Sequence, residues 1–306
     1  MRSRINQNAL WLLLFALAGV QACIAKTSTP ETYVTEKTRD IEGGRKVLII
    51  MPLPTLGATV NWDPLQVIDH KTFAVFGSAA EMESYNEQVR EAQRFMVPLQ
   101  KALSGYELET KVRGAIEPIV TGSPWLRGQD VEVTNNLNSD YQLMKLNESN
   151  TRQMLVVFVD HRCDVTCSAI AISLKATMLV RQIPRGYVSS MRLSASYIPY
   201  QVTFNAVVHL KDPDPKNAEV NRDRWAANDA ALARRAIDIG ADWAIDRFAR
   251  NLDETRDQNE EWSSRGDRKG RLGNGRPGWV ISRSDTELTY FDARSHALNF
   301  ETTIGP

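Results

Sequence analysis

Residues 154–181 read MLVVFVDHRCDVTCSAIAISLKATMLVR, and this stretch decides the fold. Met154 to Asp160 is a continuous apolar run of strand length that reads as a buried strand. After a turn, Ile170, Ile172, Leu174, Ala176, Met178 and Val180 alternate with Ala171, Ser173, Lys175 and Thr177. A period of two gives a strand one apolar and one polar face. Tyr187 to Tyr197 and Gln201 to Leu210 alternate likewise, with Val202, Phe204, Ala206 and Val208 on one side. Four consecutive strands joined by short turns predict an antiparallel meander with a polar face.

Downstream, Pro213 and Pro215 end the sheet and a helix is predicted from about Val220 to Leu252. Its stripe is Ala226, Ala230, Ala233, Ile237, Gly240, Ala244 and Phe248, small near the middle and suited to close packing on a sheet. Upstream, Lys46 to Pro52 (KVLIIMP) reads as a buried strand. Ser78 and Glu81 form a capping box, and Met82, Tyr85, Val89, Ala92, Met96, Leu99 and Leu103 follow at helical spacing. Pro98 is expected to kink or split that helix near Phe95. Tyr106 to Val112 alternates like a strand, and a short helix is expected over Ser139 to Leu146. Trp279 to Phe300 holds three short β-prone runs. The predicted class is α+β, an α/β sandwich: a mixed sheet with the four-strand meander, two long helices packed on it and a small C-terminal β unit. The domain occupies 46–254, a charged Gly-rich linker 255–278, and a small β hairpin or tail 279–306.

Composition removes several functional classes. The 306 residues carry 37 basic and 37 acidic side chains, so no global field draws the chain onto nucleic acid. A charged fraction of 24% and a mean hydropathy of −0.34 exclude a multi-span membrane protein.

The amino terminus carries the localisation signal. Arg2 and Arg4 precede the apolar run ALWLLLFALAGV (Ala9 to Val20), too short to cross a bilayer as a stable helix, so residues 1–22 are expected to be a signal peptide. Val20-Gln21-Ala22-Cys23 resembles the bacterial lipobox, with Val where Leu is usual. That resemblance implies acylation of Cys23, and Ile24 rather than Asp after it implies outer-membrane retention on the periplasmic side. Simple cleavage after Ala22 is the other reading. Residues 23–45, poor in apolar side chains, are expected to be a flexible lipid-anchored tether. With Arg2 and Arg4 removed, 35 basic side chains face 37 acidic ones, too near neutral to name a partner.

The sharpest chemical feature is Asp160-His161-Arg162-Cys163-Asp164-Val165-Thr166-Cys167 behind an apolar strand. The C-x3-C spacing resembles the copper-delivery thioredoxin-like proteins of respiratory oxidase assembly, which implies Cu(I) on Cys163, Cys167 and a distant imidazole, His209 or His296. That family has proline after each cysteine; here Asp164 and Ser168 stand there. The simpler reading is a Cys163–Cys167 disulfide pinning a hairpin turn in an oxidising compartment, contributing about 2 kcal/mol or less. No nucleophile elbow, zinc-protease or P-loop motif is present, and only His70, His161, His209 and His296 supply imidazoles. Acid pairs such as Asp63 with Asp69, or Glu260 with Glu261, are too many to select a glycosidase site. Arg265 to Arg276 is basic and Gly-rich, with no interleaved aromatics for stacking single strands. Trp62, Trp125 and Trp262 fall in expected loops, either as exposed partner-binding indoles or as packing.

Element order is similar to envelope lipoproteins of the curli-secretion-pore and peptidoglycan-synthase-activator kind. The expectation is a non-enzymatic lipoprotein without cofactor, bound to membrane lipid through Cys23 and docked on an envelope protein, acting as an accessory or assembly factor for secretion or cell-wall machinery. The alternative is a periplasmic thiol-redox or copper-handling protein.

Overall fold

The computed structural model describes residues 29–51, 56–58, 79–126, 131–148, 151–181, 196–263 and 278–305. The chain divides into two units, Met1–Pro30 and Glu31–Pro306, and the elements below belong to the second. Cys23 and the signal segment, Trp62, Asp63, Asp69, His70, Ser78, most of Tyr187–Tyr197 and the basic run Arg265–Arg276 lie outside the described residues.

The chain forms an α+β sandwich around one mixed sheet. In chain order the strands are β1 (Gly44–Ile50), β2 (Gly57–Ala58), β3 (Val131–Thr134), β4 (Thr151–Cys163), β5 (Ala169–Arg181), β6 (Ser196–Leu210), β7 (Gly278–Arg283), β8 (Glu287–Asp292) and β9 (Ala297–Ile304). They lie in the order β3-β1-β4-β5-β6-β9-β8-β7, with β2 paired to β4 off that line. The helices are α1 (Glu36–Arg39), α2 (Ala79–Ala102), α3 (Leu108–Gly122), α4 (Ser139–Leu146), α5 (Ala218–Asp253) and α6 (Arg256–Ser263).

The consecutive strands β4, β5 and β6 pair antiparallel, with Val157 opposite Ala176 and Ala176 opposite Val202. Their even side, from Ile170 to Val180 on β5, is buried beneath α5, where Ala233, Ile237, Ala241, Ala244 and Phe248 complete the main core. Gly240 makes the closest approach: a Cβ there would sit 2.6 Å from Ile172 Cγ1. Among the described residues, the opposite face is covered by a helix at one end. There α4 sets Leu146 on Leu48, Ile50, Met154, Val156 and Leu179. Asn138 caps that helix by accepting from the Asp140 N–H at 2.9 Å.

Four expectations are corrected. Tyr106 to Val112 does not form a strand; α3 begins at Leu108 and buries Leu108, Val112, Ile116 and Val120. Four-residue spacing outweighs the brief alternation at its start, because each of these side chains gains core burial. Residues 31–45 are not a free tether: Glu31 bridges to Tyr200, and Val34 and Thr38 are buried. Residues 255–263 of the expected linker are packed as α6, with Asn259 and Trp262 buried. Helix α2 continues through Pro98 to Ala102. Pro98 has no N–H to donate to the Arg94 carbonyl, so the helix forgoes one backbone bond there without ending. The neighbouring Phe95 carbonyl is taken up by Arg222, which donates at 3.1 Å and lies 5.0 Å over the Phe95 ring.

The C-terminal β unit is a three-strand antiparallel meander, β7-β8-β9, and it belongs to the main sheet. Phe204 of β6 lies beside Leu298 of β9 in parallel register. Helix α5 makes the crossover and is itself broken, for Asn228, Asp229 and Ala230 have φ of 53, 54 and 55°. Asn and Asp tolerate that left-handed region better than most residues.

Candidate functional site

Strands β1, β3, β4, β6 and β9 all run one way, so their carboxyl ends share an edge. In open α/β sheets this is the edge where ligands and reactive groups gather. Here β4 ends at Cys163 and β5 begins at Ala169, and the turn between them holds both cysteines. Their Cα atoms are 5.2 Å apart, within disulfide reach, and both side chains are fully buried.

Asp164 organises this turn. Its carboxylate accepts from the hydroxyls of Thr166 and Ser168, each at 2.8 Å, and from the Ala169 N–H at 3.0 Å. The amino-terminal segment of α5 closes over it: Trp225 Nε1 donates to the Cys167 carbonyl at 2.8 Å and Asn221 Nδ2 to the Thr166 carbonyl at 3.0 Å. Thiol–disulfide exchange requires attack on an accessible sulfur. This turn shields its sulfurs and satisfies its backbone, which is the construction of a staple.

The copper-ligand set expected from the sequence is not assembled. Cys163, Ile170 and Val208 share the helix-covered face, whereas His209 pairs with Ala169 on the other and lies 3.8 Å from Glu301. His296 sits at the turn before β9, at the opposite edge of the sheet, with a φ of 51°. Strand alternation forces this, since an odd step in register reverses the face. Among the described residues no group of three or more His, Cys, Asp or Glu is placed to hold a metal ion.

The imidazole that does share the Cys163 face is His161, which sequence reasoning passed over. It is 3% exposed and its Nδ1 has no hydrogen-bond partner among the described residues. Burial pushes its pKa down to about 4; Asp160 opposes that shift and Arg162 adds to it. The signal was the alternation Val157, Val159, His161, Cys163, which places it inward.

Beyond the patch covered by α4, the sheet face away from α5 is polar over β5, β6 and β9. Ser173 donates to Asn205 at 2.7 Å and Asn205 to Asn299 at 3.0 Å, a row that crosses β5, β6 and β9. Arg162 pairs with Asp160 at 2.6 Å, and Tyr290 donates to Glu301 at 2.9 Å. Lys175 stands between Phe158 and Thr203 in register, and desolvation lowers its pKa.

At the far end of α5 a second polar cluster is closed. Glu254 accepts from Asn251 at 2.9 Å, Asn259 at 3.3 Å, Trp262 at 3.0 Å and Arg247 at 3.2 Å. Asn251 and Asn259 also donate to the Thr32 carbonyl, and Tyr200 donates to Asn251 at 2.8 Å. Arg39 caps the helix by donating to the carbonyls of Leu252 and Glu254. A carboxylate with four donors has no position left for a substrate, so the cluster fastens the N-terminal segment, α5 and α6 together. Trp125 and Trp262 are buried, with Trp125 bonded to the Leu252 carbonyl, so both pack rather than face a partner. Glu260 is engaged by Arg256 at 2.6 Å.

No family model matches the chain, and neither a curated protein nor a solved structure matches it.

Proposed function

We propose that this chain is a non-enzymatic lipoprotein of the bacterial envelope, held on the periplasmic side of the outer membrane by acylated Cys23. It serves as an accessory or assembly factor for a secretion or cell-wall complex. The supporting observation is the buried Cys163–Cys167 pair at disulfide distance, since such a bond persists in an oxidising compartment, where a leader like Arg2–Ala22 directs a chain. The docking surface is the polar sheet face together with β7, which among the described strands pairs only with β8. A sheet edge presents unpaired backbone groups that a partner strand can extend, and Val280 on β7 is 46% exposed.

The test is an intact mass of the full chain purified from membranes, with thiols alkylated before and after reduction. Acyl mass on Cys23, with Cys163 and Cys167 alkylated only after reduction, is expected. An unacylated chain with both thiols alkylated at once overturns the reading in favour of a soluble thiol protein. A photo-cross-linker at Val280 should then capture an envelope protein that one at Glu91, on α2, does not.

A further inference from the structure

At the carboxyl ends of β6 and β9 lies a cleft of about 590 Å³ lined by Lys211, Asp212, Arg224, Arg235, Thr303, Ile304 and Gly305. Its size is that of a small-molecule site. One of its cations is fixed in place and two are exposed. Arg224 is held by its own fold: its guanidinium donates to the carbonyls of Lys211 and Asp212, both at 2.7 Å. That anchors a positive charge at the wall. Lys211 is positioned by its backbone, whose N–H donates to the Ile304 carbonyl at 2.7 Å, while its ammonium has no acidic partner among the described residues. Arg235 is exposed and likewise has none.

Arg224 and Arg235 come from opposite sides of the left-handed break at Asn228–Ala230. On an unbroken helix, eleven residues would span about 16 Å along the axis. With the break between them, both line one cleft.

We propose that this cleft binds a phosphate-bearing ligand. Lys211, Arg224 and Arg235 set three positive charges against the one carboxylate of Asp212, and the excess matches the two negative charges of a phosphate monoester. Guanidinium groups match phosphate oxygens in pairs, and the Thr303 hydroxyl adds a donor on the same wall. A dissolved sugar phosphate presents these phosphate oxygens as a dianion, and an anionic phospholipid headgroup such as that of phosphatidylglycerol presents them as a monoanion. The site is independent of the lipid anchor proposed above.

The experiment uses the full chain carrying Cys23→Ser, so that no acyl group contributes to membrane binding. Binding is measured at physiological ionic strength to inorganic phosphate, to glucose 6-phosphate, and to phosphatidylglycerol vesicles against phosphatidylcholine vesicles. Saturable binding to at least one phosphate probe is expected, weakened at least tenfold by Arg235→Ala and by Lys211→Ala, and unchanged by Arg283→Ala on β7. Preference for phosphatidylglycerol identifies a headgroup as the source; preference for glucose 6-phosphate identifies a soluble ligand. Both substitutions fall on exposed side chains that have no acidic partner among the described residues, and a thermal melt checks the fold. Absence of binding to every probe, or binding that Arg235→Ala and Lys211→Ala leave within twofold, overturns the proposal.

Discussion

His161 is neutral and buried in the native chain, which makes it a liability in acid. Its folded pKa of about 4 lies below the ordinary 6.5, so the unfolded chain takes up the proton first as pH falls. The stability His161 permits is complete above about pH 6.5 and is lost as pH drops toward 4, a total on the order of 3 kcal/mol by linkage. Urea midpoints at pH 7 and pH 4.5 should therefore fall more steeply for the native chain than for His161→Leu; equal slopes would refute the assignment. The same scale governs the Glu254 cluster. Tyr200→Phe leaves the buried Asn251 carbonyl oxygen without its donor, and a loss of about 1–3 kcal/mol is expected in equilibrium unfolding. Neither residue was legible as a pair: Tyr200 and Asn251 are 51 positions apart, and nothing in the local pattern of either names the other. The Cys163–Cys167 turn was legible, because four residues of separation and the strand before it already confine the two sulfurs.

Among the elements, the readable ones are those whose periodicity is long and whose burial is one-sided. β5 alternates from Ile170 to Met178, and the α5 residues Ala233, Ile237, Gly240, Ala244 and Phe248 read from the sequence are all buried, although Ala236, Ala241 and Ile245, which widen the buried face, were missed. Those that were missed depend on partners remote in sequence. α3 shows only brief alternation at its start, and its identity comes from burying every fourth residue against the core. The break in α5 was missed because Ala226, Ala227 and Ala230 all favour continuing the helix, which masked the signal of Asn228-Asp229 between them. The contact between α5 and the sheet can be tested at its tightest point. Gly240→Ala puts a methyl 2.6 Å from Ile172 Cγ1 and 3.4 Å from Ala206 Cβ, and overpacking of this kind costs about 1–3 kcal/mol. A melting temperature unchanged from the native chain would show that the helix can move away freely. Replacing both cysteines by serine removes the staple from the β4–β5 turn and should cost about 2 kcal/mol or less, leaving the fold and any partner capture intact. Loss of capture with the fold unaltered would assign the thiols a direct role.

Across the whole molecule, the sheet is longer than its sequence signals suggested. The C-terminal β-prone runs were legible as strands, but their place was not, because parallel pairing of β6 with β9 joins segments separated by α5, α6 and two strands. Deleting residues 297–306 should expose the buried row from Phe204 to Leu210 and strip α5 of the Trp243–Phe300 stack, whose centroids are 5.2 Å apart. Dye binding to exposed apolar surface and loss of cooperative unfolding are expected; a cooperative melt in the truncated chain would show that β7–β9 are dispensable. The wide spacing between β6 and β9 also sets a timetable. A ribosome releases residues from the amino end, and β6 must wait for nearly a hundred more before its neighbour exists. Until residue 304 emerges, an inner strand remains an open edge, and the chain has no finished form in which to stall.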